Sequence, residues 1–130
     1  MKKADPIWAR IREEAQEGAQ SEPLLASFLN STILSHKTLE DALSYHLASK
    51  LESLTLPSIS LRELIDEAFA NEKGIGEAIR ADLVAVHDRD PACRLFCQPL
   101  LYFKGFQALQ AYRVAHYYWN TGRYHLALFL

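Results

Sequence analysis

The sequence predicts an all-α fold. Apolar residues recur at helical spacing through most of the chain, and capping residues, prolines and glycines punctuate it at helix-length intervals. No window alternates apolar and polar residues with period two, and the β-branched residues are scattered. About six to eight helices follow, with no internal repeat, low-complexity segment or domain boundary, so residues 1–130 read as one domain.

Asp5-Pro6 places a capping side chain before a proline at the first helical position, where its missing N–H costs nothing. Ile7, Trp8, Ile11 and Ala15 then repeat to about Ala19, with Arg10, Arg12, Glu13 and Glu14 as a solvated face. Glu22-Pro23 opens a second helix with Leu24, Leu25, Phe28, Leu29, Ile33 and Leu34 as its apolar stripe. Thr38 and Asp41 resemble a capping box for a third, its inner side carrying Leu39, Leu43, Leu47, Ala48 and Leu51. SLTLPSIS reads as a loop, and Ser60 with Glu63 as the capping box of a helix through Leu61, Leu64, Ile65, Ala68 and Phe69. A turn at Lys73–Gly76 precedes a fifth helix from about Ile75 to Val86. Asp90-Pro91 and Gln98-Pro99 each start a short helical piece, and Gly105 separates these from a long helix over Phe106–Asn120 that Gly122 ends. The closing RYHLALFL starts one more apolar helix. It ends on Leu128, Phe129 and Leu130 without cap or polar tail, which reads as a truncation or a partner-docked end.

Composition excludes several classes. Hydrophobic residues make up 49% and charged residues 23%, with a formal net charge of -2, the balance of an ordinary globular protein. No Lys/Arg stripe exists to neutralise phosphates, so nucleic acid is not expected. No apolar run approaches the roughly 20 residues of a membrane span. Lys2 and Lys3 lead into an amphipathic helix rather than a signal core, so a cytoplasmic location is the default.

Few residues stand out as chemical. Cys93 and Cys97, one helical turn apart, have the spacing for metal but lack further ligands, since His87 lies beyond Pro91. They read as small buried hydrophobes in a reducing compartment. His36, His46, His87, His116 and His125 form no i, i+4 ligand pair on one helix. Arg113 and His116 have anion-binding spacing, against which stands a surface or interface role. Tyr112, Tyr117, Tyr118 and Trp119 make an aromatic patch of the core or subunit-interface kind. Lys104-Gly105 is too short for a phosphate loop and lacks a flanking strand. Asp90, directly before Pro91, is a good helix N-cap on residue chemistry alone.

Several blocks in order carry a family likeness. EPLLASFLNSTILSHKTLEDALSYHLASKL, LPSISLRELIDEAF, DLVAVHDRDPA and PLLYFKGFQALQAYRVAHYYWNTGR resemble the N-terminal helical domain of bacterial and plant serine acetyltransferases. The likeness runs from about residue 7 to the end, with His87 where arginine is usual and Cys97-Gln98 where a Ser-Thr pair is usual.

The resemblance implies an enzyme that acetylates serine from acetyl-CoA on the route to cysteine. Its helical domain assembles subunits as a dimer of trimers. A C-terminal left-handed β-helix binds acetyl-CoA and carries a histidine, held by an aspartate, as general base; none of this is visible here. On this view the chain holds no catalytic, cofactor-binding or metal-binding residue of its own, and alone it is inactive. The one site residue the resemblance carries over is Asp90, as the helical-domain aspartate that contacts the substrate serine; capping and serine contact can coexist there. An O-acetylserine sulfhydrylase is implied as a partner of the full-length protein, through a C-terminal tail absent here. A stand-alone helical interaction module, docking through the aromatic helix and RYHLALFL, is the competing expectation.

Overall fold

A computed structural model describes residues 4–130; Lys2 and Lys3 lie outside them. Eight α-helices and no strand occur among the described residues: α1 (Pro6–Ser21), α2 (Ala26–Leu29), α3 (Leu39–Leu51), α4 (Ser58–Asn71), α5 (Lys73–Arg89), α6 (Cys97–Tyr102), α7 (Lys104–Asn120) and α8 (Tyr124–Phe129). Helices α3 and α4 pack along each other, α7 crosses α4, α5 and α6, and α8 folds back on α7. One core runs through them, built from Trp8, Ile11, Ile33, Leu39, Leu43, Leu61, Ile65, Ile79, Leu83, Leu100 and Tyr118, all buried.

The second expected helix is broken. Pro23–Leu25 is a single 3₁₀ turn, α2 is one turn long, and Asn30–Leu34 winds as a π-helix. Only Leu29 and Ile33 of the expected apolar stripe are buried, and Leu24 is 94% exposed. The break follows from what α1 offers. Trp8 Nε1 donates to the Lys37 carbonyl at 2.9 Å, and Arg12 Nη1 donates to the Leu34 and His36 carbonyls at 3.0 and 2.8 Å. These bonds satisfy carbonyls that a regular helix end leaves orphaned, and they hold the segment off the α-helical path.

Other boundaries move for similar reasons. Thr38 caps α3 by accepting from the Asp41 N–H at 3.1 Å. The reciprocal half of the expected box is missing, because the Asp41 carboxylate is engaged by His36 and Arg62 instead. Helix α4 begins at Ser58 after Pro57, so Ser60 lies inside it and the Ser60–Glu63 box does not form. The Lys73–Gly76 turn is already helix; α4 and α5 are separated by Glu72 alone. Gly105 sits in the first turn of α7, while Gly122, at φ +82°, ends that helix as expected.

Half-buried charges tie α1, α3 and α5 together. Arg80 on α5 donates to Asp5 Oδ2 at 2.6 Å and to both Glu40 oxygens at 2.9 Å. Asp5 caps α1 through the Trp8 N–H as expected, yet it is also half of this clamp. Gly76 lies beneath it, and a Cβ there would sit 2.5 Å from Glu40 Oε2, so the Glu40 carboxylate would have to shift. Burial alone would raise the Asp5 and Glu40 carboxyls, but the Arg80 hydrogen bonds outweigh it and hold both below their ordinary values.

Candidate functional site

Asp90, the residue that the family resemblance carries over as a substrate contact, lies at the C-terminal end of α5 and is half-buried. Its backbone N–H closes α5 on the Val86 carbonyl at 2.9 Å. The expected short helix after Asp90-Pro91 does not form, and residues 91–96 run as turns and bends before α6 begins at Cys97. Asp90 is therefore no helix N-cap. Its Oδ1 accepts from the Ala92 N–H at 2.9 Å, an Asx turn around Pro91. Its Oδ2 takes no hydrogen bond from the described residues, which leaves half of a carboxylate free to pair with a cation.

The loop beyond Asp90 is held by three further side chains. Gln98 Oε1 accepts from the Arg94 and Leu95 N–H groups at 2.5 and 2.6 Å, and its Nε2 donates to the Ala92 carbonyl at 3.3 Å. Glu14, reaching across from α1, accepts from the Phe96 and Cys97 N–H groups at 3.1 and 3.0 Å. The His87 ring stacks on Phe96 with centroids 4.0 Å apart and planes within 8°. His87 and Gln98, two positions that depart from the family pattern, are thus accommodated as parts of the loop's own packing.

Glu14 corrects the expectation of a solvated face. It is 8% exposed, at the open N-terminus of α6, where a carboxylate is stabilised by unpaired N–H groups. Arg12 is likewise half-buried and committed to carbonyls. The signal was present in the sequence: Glu14 follows Ile7 and Ile11 by seven and three residues, on the apolar stripe rather than opposite it. Helical periodicity applied to charged as well as apolar positions would have found it.

Cys93 and Cys97 are free and buried. Burial first, then the nearby Glu14 charge, pushes the Cys97 thiol up to about 12, so it stays protonated and unreactive. Burial and the Asp90 and Glu14 charges raise the Cys93 thiol as well. No group of three His, Cys, Asp or Glu side chains able to hold a metal occurs among the described residues. No described helix is long and apolar enough to cross a membrane.

The remaining sequence candidates lie elsewhere. Arg113 donates to Asp82 Oδ2 at 2.9 Å and to Gln110 Oε1 at 3.2 Å, so it is spent within the protein. His116 is exposed and stacks on Tyr112 at 5.9 Å. The aromatic patch splits: Tyr118 is fully buried with its hydroxyl donating to the Leu64 carbonyl, whereas Tyr112 and Trp119 face outward. Those two line an apolar groove of about 680 Å³ between α7 and α8, with Ala108, Ala115, Leu128 and Leu130. Asp90 is not among its lining residues, so this groove and the candidate carboxylate are different places.

Residues 7–111 match the family model described as serine acetyltransferase, N-terminal. The chain is 52% identical over 124 residues to the serine acetyltransferase of Haemophilus influenzae, covering 95% of this chain and 46% of that protein. A solved serine acetyltransferase in complex with CoA superposes with a TM-score of 0.93 at 52% identity, over 95% of this chain and 52% of the other. The Neisseria gonorrhoeae enzyme in complex with serine superposes with a TM-score of 0.92 at 44% identity, over 97% and 52%. The chain spans about half the length of the relatives it matches. An all-α architecture, a matching family model and close relatives along nearly its whole length agree: the chain belongs to the serine acetyltransferase family, over its N-terminal helical domain.

Proposed function

We propose that this chain serves a serine O-acetyltransferase in two ways: it joins subunits, and it presents Asp90 to the ammonium group of the substrate serine. The reaction transfers acetyl from acetyl-CoA to the serine hydroxyl, the first step toward cysteine. A hydroxyl attacks a thioester poorly unless a positioned base takes its proton, an effect worth roughly 10²–10⁴-fold. On this reading the base and the coenzyme groove belong to a further part of the enzyme. The isolated chain is therefore expected to bind neither substrate productively and to transfer no acetyl group.

The observation that carries the reading is the Asp90 carboxylate, with Oδ1 locked by the Ala92 N–H and Oδ2 unengaged at the protein surface. A carboxylate held this way meets an ammonium group with little rearrangement, and such charged contacts discriminate when desolvated. The apolar faces of α7 and α8 supply the assembly surface: Tyr112, Trp119, Leu128 and Phe129 are all more than half exposed or close to it, with Trp119 at 50% and Leu128 at 75%. The family's dimer of trimers, its cytoplasmic setting and its sulfhydrylase partner belong to the same proposal.

The test is Asp90→Ala in the complete enzyme. The serine KM is expected to rise by roughly 10²-fold while the acetyl-CoA KM changes little, because only one substrate loses a charged contact. A parallel rise of both constants would assign Asp90 to folding of the loop instead.

A further inference from the structure

We propose that Gln98 and Glu14 are positioning residues for Asp90, locking the loop that carries it onto α1 and thereby fixing the direction of its free carboxylate oxygen. The proposal rests on the reading of Asp90 given above. It starts from an accounting of backbone donors. A turn without secondary structure leaves its N–H groups to water unless side chains take them, and such a turn moves. Here each N–H from Ala92 to Gln98 has an acceptor within the protein. Ala92 is taken by Asp90 Oδ1 and Cys93 by the Asp90 carbonyl. Arg94 and Leu95 are taken by Gln98, Phe96 and Cys97 by Glu14, and Gln98 by the Leu95 carbonyl.

The consequence for Asp90 is geometric. Its Oδ1 is one of these acceptors, so the plane of its carboxylate follows the path of the chain at Ala92. That path is set from behind by Gln98 Nε2 on the Ala92 carbonyl, and from farther along by Glu14 on the first N–H groups of α6. The two clamps differ in kind. Glu14 is buried and also props the start of a helix, whereas Gln98 lies partly open to solvent and its side-chain hydrogen bonds go only to the loop. Gln98 is thus the place where loop order can be removed while the core stays intact. A displacement of about 1 Å in a substrate-contacting group can cost up to roughly 10²-fold in rate, so a clamp without substrate contact still acts on the serine site.

The experiment uses the complete enzyme with Gln98→Met, which keeps the length of the side chain and loses both hydrogen-bonding functions. Gln98→Glu, which keeps the acceptor for Arg94 and Leu95, serves as the conservative partner, and Asp90→Ala as the reference. Gln98→Met is expected to raise the serine KM roughly tenfold with little change for acetyl-CoA, and Gln98→Glu to restore most of that loss. Amide hydrogen exchange at Arg94 and Leu95 is expected to quicken in Gln98→Met while the amides of α3 keep their protection. Unchanged exchange at Arg94 and Leu95 would remove the clamp. Faster exchange with an unmoved serine KM would keep the clamp and overturn its role in positioning. If Asp90→Ala itself leaves the serine KM unmoved, the reading of Asp90 falls and the positioning role with it. If Asp90→Ala raises it and Gln98→Met does not, only the positioning role falls.

Discussion

The end of the molecule where α1, α3 and α5 meet is held by charge, while the end where α7 meets α8 is held almost entirely by apolar contact. At the first, Arg80 bridges Asp5 and Glu40, and His36 and Arg62 converge on Asp41. At the second, Leu126, Ala127 and Leu130 pack on the core, while Leu128 and Phe129 point away from it. Among the described residues an ion pair there joins Arg123 to Glu67, with both partners partly exposed. Directional, partly buried contacts fix the relative register of three helices, including the one that ends at Asp90. The apolar end has area without direction, which suits a face that meets a partner. One end sets a geometry and the other offers a surface.

The largest effect expected from breaking this comparison is at Arg80. Arg80→Met keeps the stem of the side chain and strands two carboxylates that Arg80 held together. Removing one partner of a fully buried pair costs about 3–5 kcal/mol; these groups are a quarter to a third exposed, so about 2 kcal/mol is expected by urea unfolding. Adding Glu40→Gln should recover part of that loss, because the remaining repulsion disappears. If Arg80→Met unfolds at the wild-type midpoint, the charged end is not what holds α1, α3 and α5 in register.

A smaller effect is expected from pH, with a sign that follows from the direction of each shift. Burial acts to raise Asp5, Glu40 and Asp41, yet Arg80 for the first two and His36 with Arg62 for the third hold their carboxyls low. Their unfolded values lie near 4, so their stabilisation is complete above about pH 5 and is lost as pH falls through the lower folded values. His46 adds an effect of the same sign nearer neutrality. Burial, then the Lys50 charge, lowers its ring, against the Leu101 carbonyl that its Nε2–H reaches at 3.3 Å. Below about pH 6.5 the unfolded ring takes a proton that the folded ring refuses, so stability falls with pH there too. Urea midpoints measured from pH 8 to 3 should therefore decline in two stages. His46→Gln should remove the upper stage alone; a single decline below pH 4 in the wild type would show that His46 is not held neutral by its surroundings.

Much of the fold could be read from the residues because its helices obey local rules. Pro6, Thr38 and Gly122 act where their backbone chemistry dictates, and the stripes of α3 and α4 are buried nearly as spaced. What could not be read depends on partners distant in the chain. The π-helical segment at Asn30–Leu34 sits against carbonyl-seeking Trp8 and Arg12, and no local pattern announces that. Asp90 was legible as a residue of interest, but its Asx turn was not, since the acceptor that frees the next N–H groups from a helix is Gln98, several residues on. Glu14 was half legible: its spacing puts it on the apolar stripe of α1, but the open N–H groups it serves are brought against it only by the fold.

The smallest effect on the folded chain, and the sharpest test of the contrast, lies at the apolar end. Leu128 contributes little to the core at 75% exposure, so Leu128→Ser should change the unfolding free energy by less than about 0.5 kcal/mol. Its expected effect is on association: exposed apolar area around Trp119, Leu128 and Phe129 has a hydrophobic gain only when another surface covers it. Sedimentation of the wild type and Leu128→Ser at matched concentration reads this directly, with the variant shifted toward smaller species. A control at the charged end, Glu13→Gln on the exposed side of α1, should leave both stability and association unchanged. If Leu128→Ser instead lowers stability by 2 kcal/mol or more without altering assembly, α8 is part of the protomer's own core. The division between a charged end that sets geometry and an apolar end that seeks a partner would then be wrong at its second half.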